Sequence, residues 1–139
     1  MRLPRVIKLG NYEIDLFYST KAMLDLEKRC GDTKSIVDWL SEKGASTGKT
    51  LAKFAGILTD LANGAVFKHN AEIALGMVDG EKQKFYDETT IASLLTPVDL
   101  ITAKETIFGV INDGMSYETP EGIPEPDPDL AEVESEKNA

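Results

Sequence analysis

A two-residue turn near the N-terminus constrains the fold of this chain more than any other feature. Residues 5–9 and 12–18 flank Gly10-Asn11, a two-residue turn of a type favoured in tight β-hairpins. Folding about this turn opposes Leu9 with Tyr12, Lys8 with Glu13, Ile7 with Ile14, and Val6 with Asp15. The apolar pairs then share one face, while Lys8 and Glu13 form an opposite-charge pair on the other. A lone hairpin is marginal in water, so its apolar face must lie on helices or on a partner.

The rest of the chain has helical periodicity. Five or so helices are predicted: from Ser19-Thr20 to Cys30 with Gly31 as the stop, from Asp32-Thr33 to Gly44, from Thr47 to Asn63-Gly64, from Ala71 to Val78 after Asn70, and from Thr96-Pro97 to Asp113-Gly114. A further stretch, Glu81 to Leu95, has only a weak helical period. The predicted helix from Thr47 has the most regular apolar stripe. The predicted helix from Thr96 begins with a cap, then a proline at the first helical position and an acid at the third. The predicted fold class is therefore mainly α with an N-terminal β-hairpin, a small α+β bundle.

The negative charge is concentrated at the C-terminus. The chain has a net charge of −9. Residues 118–139 carry eight acids and one base, and they also hold four prolines with few large apolar residues. Such a segment cannot offset its ordering entropy by burial. We therefore expect a helical domain over residues 1–117, with its hairpin in residues 1–18, followed by an acidic disordered tail at 118–139.

Several classes of protein are excluded by what the sequence lacks. No apolar run approaches the roughly 18–20 residues that a membrane span needs, and the first residues do not form a signal-peptide core. One cysteine and one histidine cannot build a tetrahedral zinc site. Basic residues are scattered rather than gathered with aromatics, which argues against nucleic-acid binding. We expect a soluble protein suited to a reducing cytoplasm, without a metal or a cofactor.

The segment from Gly44 to Thr50 is similar to a nucleotide-binding loop. A P-loop has four residues between its first glycine and the Gly-Lys pair, whereas this segment has three before Gly48-Lys49. A helix is predicted before it, where a P-loop requires a strand. We therefore interpret the segment as a connector between helices, with an N-cap and a basic first turn, and expect no enzymatic activity.

Other reactive side chains also receive structural interpretations. His69 lies at a predicted helix start without a nearby nucleophile or metal ligand, so a surface or capping role is favoured. Cys30 lies at a helix end, where the thiol is favoured over the thiolate, and we expect it to be inert and half-buried. Paired acids at 13/15, 25/27 and 87/88 lack the apolar pocket that would separate two carboxyl pKa values, so they are expected on solvated faces.

Two features remain as binding candidates. An open strand edge of the hairpin can accept another strand, or it can be covered by a helix or loop, and the sequence leaves both open. The acidic tail either solvates the protein or engages a basic partner. The candidate partner-binding side chains are Tyr12, Ile14, Tyr18, Trp39 and Phe67, with a place in the core as the alternative for each.

The order of these segments resembles that of the tail assembly chaperones of siphophages and related prophages. The hairpin over 9–18 leads directly into a helix over 21–31 with a Leu-Glu-x-x-x-Gly-like end, as in that family. Residues 107–115 are similar to its last core helix with a Gly-Met turn, and residues 127–137 are similar to its charged C-terminus. The stretch from 67 to 95 has no clear counterpart.

The resemblance implies a non-catalytic role in the cytoplasm of the bacterial host. Such proteins bind the long tape measure protein, and sometimes the tail tube protein, and keep them from aggregating until the tail assembles. Another phage morphogenesis part, such as a head–tail connector or a tail terminator, is the alternative. Those proteins form stable rings, and whether this chain forms a homo-oligomer stays open.

Overall fold

The computed structural model describes residues 5–31, 38–39 and 46–115. Within these ranges the fold is mainly helical, with four α-helices and one antiparallel hairpin, as the sequence predicts. The elements are β1 (Arg5–Leu9), β2 (Tyr12–Leu16), α1 (Thr20–Cys30), α2 (Thr47–Ala74), α3 (Glu88–Leu94), a 3₁₀ turn (Pro97–Asp99) and α4 (Leu100–Met115). The helix expected over 32–44 lies outside the described residues, apart from Asp38 and Trp39, which are helical. The expected tail at 118–139 also lies outside them.

The hairpin has the predicted register. Leu9 pairs with Tyr12 and Ile7 with Ile14, and the ladder continues to Arg5 and Leu16. Its inner face is buried in the core through Ile7, Leu9, Ile14 and Leu16. Tyr12, beside the turn, is the exception on this face, with 61% of its surface exposed.

The second strand is shorter than expected, because it ends at Leu16 rather than Tyr18. The N–H of Phe17 donates to the carbonyl of Leu61 in α2 at 3.0 Å, on the side of the chain that faces away from β1. Lys8 and Glu13 oppose each other as predicted, yet they form no ion pair within the described structure.

Helix α1 begins and ends at the predicted signals. The hydroxyl of Ser19 accepts a hydrogen bond from the N–H of Ala22 at 3.2 Å, and Gly31 ends the helix with φ of +90°. A positive φ there favours glycine, the usual residue after a helix C-terminus. Ala22 and Leu26 are buried against α2, whereas Met23 is only half-buried.

Helix α2 is the centre of the molecule. Every residue from Phe54 to Ala62 is buried, and β2, α1, α3 and α4 all pack on this one helix. A helix that is buried all round needs apolar or small side chains on every side. This stretch supplies them except at Asp60, whose carboxylate pairs with Arg29. The hydroxyl of Ser46 caps it by accepting from the N–H of Lys49 at 3.2 Å.

The predicted end of this helix at Asn63-Gly64 is wrong, and so is the separate helix from Ala71 to Val78. Helix α2 runs unbroken to Ala74, and its C-terminal turn includes Gly76 with φ of +75°. A Cβ at position 64 would meet the carbonyl oxygen of Phe17, so this glycine permits a close approach instead of ending the helix. The Asn-Gly pair is thus a tertiary contact within a continuous helix.

The segment after α2 is mostly extended, so the helix predicted over Glu81 to Leu95 is wrong in its first half. Residues 81–87 form a return segment that runs back along α2, and α3 begins only at Glu88. The carboxylate of Asp87 caps α3 by accepting from the N–H of Thr90 at 2.7 Å. This hydrogen bond lowers the pKa of Asp87.

The start of α4 follows the predicted signals. The carboxylate of Asp99 accepts from the N–H of Thr96 at 2.9 Å, and Pro97 occupies the first position. Ala103, Ile107 and Val110 are buried in the core. The predicted stop at Asp113-Gly114 is early, because the helix continues to Met115, the last described residue. No helix in the described ranges is long and apolar enough to span a membrane.

Candidate protein-binding surfaces

Two of the predicted partner-binding side chains are exposed, and a third is buried in the core. Tyr12 is exposed at the tip of the hairpin, and Phe67 is 38% exposed on α2. Ile14 is 3% exposed and packs in the core, so its side chain is not on the surface. The structure therefore keeps Tyr12 and Phe67 as candidates and assigns Ile14 to the core.

The other two predicted side chains are partly covered by the protein itself. The ring of Tyr18 lies against Gly114 of α4, and its partial burial raises the pKa of the phenol. Trp39 packs against the core, and the ammonium of Lys53 lies 5.0 Å from its ring centroid. Lys53 also donates to the Trp39 carbonyl at 2.8 Å, which fixes this residue beside α2.

Five exposed apolar side chains lie in the second half of α2 and in the residues that follow it. The rings of Phe67 and Phe85 pack at a centroid distance of 4.6 Å, joining α2 to the return segment. We call the following exposed residues the apolar patch: Phe67, Leu75, Met77, Val78 and Phe85. Exposed fractions reach 76% for Leu75 and 60% for Met77, so these side chains are available to another surface.

A second surface lies along the free edge of β2. In a two-residue hairpin the residues flanking the turn bond each other, and outward-facing residues alternate from there. The backbone groups of Glu13 and Asp15 therefore point away from β1. Phe17 has the same parity, and its N–H bonds Leu61 on that side. Among the described residues, no other backbone pairs with the outward groups of Glu13 and Asp15.

This edge borders a groove of about 200 Å³. We call it the edge groove, and its lining residues are Glu13, Asp15, Ala62, Ala65, Val66, Gln83 and Tyr86. Its floor consists of small and medium apolar residues of α2, and its far wall is the return segment. A strand edge, an apolar floor and a wall form a channel open at the surface.

Two asparagines of α2 hold the far wall. The amide of Asn63 donates to the carbonyl of Tyr86 at 3.0 Å and accepts from its N–H at 2.7 Å. Asn70 makes the same pair of bonds with Gln83, at 3.1 and 2.8 Å. Seven helical residues rise about 10.5 Å, and three extended residues span about 10 Å, so the two spacings match.

A partly buried ion cluster joins α1, α2 and α3. The guanidinium of Arg29 donates to both carboxylate oxygens of Asp60 at 2.7 and 3.1 Å, and to Glu88 at 2.6 Å. These bonds raise the pKa of Arg29 against the opposing effect of burial, with the bond to Asp60 the largest cause. Gly56 leaves space for the guanidinium, which a Cβ would meet. The cluster ties three helices together.

The side chains that the sequence offers as candidates for catalysis or metal binding make structural contacts. Thr47 to Thr50 form the capped first turn of α2, whereas Gly44 and Ala45 lie outside the described residues. His69 is not at a helix start: it lies inside α2, and its ring bonds the carbonyl of Glu81. Cys30 is buried, which raises the pKa of its thiol. No group of three or more metal-ligating side chains occurs in the described part of the chain.

The far wall of the edge groove is not predicted from the sequence. The weak helical period over 81–95 includes Gln83 and Tyr86, and the predicted helix boundaries place Asn63 at the end of one helix and Asn70 at the start of the next. The available signal was the seven-residue spacing of the two asparagines, which puts both amides on one face of a longer helix. Their partners are 13 and 23 residues away, beyond any local pattern.

Comparison of the chain with protein-family models, curated proteins and solved structures finds no match.

Proposed function

We propose that the protein is a tail assembly chaperone, which binds the tape measure protein of a long-tailed phage and keeps it soluble without catalysing a reaction. The tail tube protein is a second client in this proposal. The observation that carries it is the apolar patch, because a chaperone must present apolar side chains to a client that would otherwise aggregate. The order of hairpin, helices and acidic C-terminus, which resembles that of these chaperones, supports the same function.

The composition of the patch suits a client with an irregular apolar surface. Met77 has an unbranched, polarisable side chain that adapts to different shapes, and it lies between the turn residues Leu75 and Val78. Phe67 and Phe85 add two large rings that contact each other farther along the same two segments. An amphipathic helix of the client can lay its apolar side on such a surface.

The strength of this contact can be bounded. Full burial of one large apolar side chain contributes about 1.5–3 kcal/mol, so five partly covered ones contribute roughly 5 kcal/mol. Association costs about 4–15 kcal/mol in lost freedom. The patch alone therefore gives weak binding, which allows release of the client but requires a second contact for its capture.

The test is co-expression of the tagged protein with the tape measure protein, followed by pull-down from the soluble lysate. We expect the wild type to retain the client and raise its soluble fraction. Replacing Leu75 and Met77 together by serine removes two highly exposed apolar side chains and should lower the recovery severalfold. Val98→Ser with Ile101→Ser is the matched control, because these residues are also highly exposed but lie outside the patch.

Three results would contradict the proposal. The first is failure of the wild type to retain or solubilise the client. The second is a stable ring of six or twelve copies in gel filtration, which would favour a connector or tail terminator. The third is nucleotide turnover by the pure protein that Lys49→Ala abolishes, since it would make the protein an enzyme.

A further inference from the structure

We infer that the edge groove takes one extended segment of the client as a third strand on β2, and that this segment carries basic side chains on both sides of an apolar one. The inference rests on the proposed function and supplies the second contact that the apolar patch lacks. Three features of the protein support this inference: the free backbone of the β2 edge, the different inner and outer faces of the groove, and the acids beside the edge.

The backbone of β2 is ready for pairing at two positions. Glu13 and Asp15 direct their N–H and C=O groups into the groove, as the register and the Phe17 bond require. Strand addition to such an edge derives its affinity from main-chain hydrogen bonds and its specificity from alternate side chains. The bond from Phe17 to Leu61 closes the edge at one end, so the added strand pairs with residues 13–15 and extends toward the turn.

The two faces of the groove select different side chains. A residue of the added strand opposite Ile14 points inward, where the floor offers Ala62, Ala65 and Val66. A small apolar side chain is therefore favoured at that position. Residues opposite Glu13 and Asp15 point outward beside two exposed carboxylates, neither of which has an ion-pair partner among the described residues. Opposite charges across strands are favourable, so lysine or arginine is preferred at both outward positions.

The same charges exclude two other occupants. The chain's own residues 118–139 carry eight acids and one base, so Glu13 and Asp15 would repel them. A second copy that pairs edge to edge through β2 would bring the acids of one copy beside those of the other, which is destabilising. A basic segment of the client is the occupant that the charges favour.

A proline substitution tests the backbone pairing. Glu13→Pro removes an outward N–H and places its ring on the free edge, yet it leaves the hydrogen bonds to β1 intact. Lys8→Pro is the matched control, because Lys8 is on the same rung and its N–H points to the opposite edge. The probes are the co-purified tape measure protein and two labelled peptides, one alternating lysine with valine and one alternating glutamate with valine. Thermal melts compare the folding of the two variants.

We expect the wild type and Lys8→Pro to bind the client and the lysine peptide, with the glutamate peptide at least tenfold weaker. Glu13→Pro should weaken the lysine peptide at least tenfold. A second variant needs no proline: Glu13→Lys with Asp15→Lys should reverse the preference to the glutamate peptide. Amide hydrogen exchange should slow at Glu13 and Asp15 when the lysine peptide binds.

The outcomes separate the two proposals. If the wild type does not retain the client, the proposed function fails. If the client is retained equally by the wild type, Glu13→Pro and the charge-reversed variant, the function stands and strand addition is overturned. Preference for a peptide made from residues 118–139, or dimers that Glu13→Pro dissociates, would also overturn it by naming another occupant.

Discussion

Two asparagine side chains form the hydrogen bonds with the return segment that a neighbouring strand would otherwise form. A primary amide has one acceptor oxygen and two donor hydrogens, so it can satisfy the N–H and C=O of one residue together. Asn63 and Asn70 both do this for the return segment. The segment has no strand beside it in the described structure, and it stays extended because two helix side chains take the place of a ladder.

Asn63 should therefore contribute more to stability than its position on a helix suggests. Asn63→Ala removes two hydrogen bonds to Tyr86 in a partly buried place, and we expect it to lower the free energy of unfolding by about 1–3 kcal/mol. Asn63→Asp keeps the acceptor and should lose less. Urea denaturation measures both, and equal losses would show that the bond accepted from the N–H of Tyr86 contributes nothing.

Two of the ion pairs that cross between elements, Arg29–Asp60 and Arg5–Asp113, should differ in strength. Asp60→Asn leaves the guanidinium of Arg29 partly buried with only Glu88, and should lower the free energy of unfolding by about 2–3 kcal/mol. Asp113→Asn breaks the pair with Arg5, whose side chains are 46% and 49% exposed, and should cost less than about 1 kcal/mol. Urea denaturation that ranks the two losses in reverse would contradict burial as the cause.

At the scale of elements, glycines mark where α2 and α4 meet other parts of the chain. Gly56 admits Arg29, Gly64 admits the Phe17 carbonyl, and Gly114 admits the ring of Tyr18. Glycine weakens a helix because it adds entropy to the unfolded chain. These positions accept that cost where a Cβ would collide with a neighbour.

Two glycines of the same helix should respond to alanine with opposite sign. Gly64→Ala forces a Cβ against a backbone carbonyl, and should lower the free energy of unfolding by about 1–3 kcal/mol. Gly48→Ala, in the first turn, would meet only the Ser46 hydroxyl at 4.0 Å. It should raise the free energy of unfolding by about 0.5–1 kcal/mol. Thermal or urea melts of the two variants decide this, and a gain at Gly64 would contradict the close approach.

The elements that the sequence predicted correctly have local signals. The Gly10-Asn11 turn determined the hairpin register, Ser19 and Gly31 the ends of α1, and Thr96 with Asp99 the start of α4. In each case the residues that form the signal are within a few positions of each other. The strand edge of the candidate site was predictable for the same reason.

The incorrect predictions fall where residues that have the composition of a local signal instead contact distant parts of the chain. Asn63-Gly64 has the composition of a helix end, but its two residues contact Tyr86 and Phe17 instead. The burial of Ile14 also depends on the helices that cover the hairpin. The groove wall could not be predicted because it exists only when α2 is continuous and the return segment follows it.

At the scale of the whole molecule, the elements share α2 as their common support. Cys30 and Tyr18 are both covered where α1 and the end of β2 meet the helices. Burial favours their neutral forms and raises both pKa values, although Arg29 and Lys53 act in the opposite direction at Cys30. Their titration therefore reports on the integrity of this packing.

Stability should consequently decline in alkaline solution. In the unfolded chain these groups lose their protons at lower pH than in the folded one, so the folded state binds more protons and loses stability as pH rises. The decline should begin at about pH 8.5, where a free thiol ionises. Cys30→Ala should move the onset toward about pH 10, the range of tyrosine. Urea melts from pH 7 to 11 measure the onset, and an unchanged onset would contradict burial of the thiol.

The bond between Phe17 and Leu61 also affects biosynthesis, because its partners are 44 residues apart. At about 5–20 residues per second, a ribosome needs roughly 2–9 s to make that interval. The hairpin therefore leaves the ribosome well before the helix that covers its apolar face. We expect nascent chains halted before residue 61 to be cut by protease within the hairpin, and chains halted after α2 has emerged to resist.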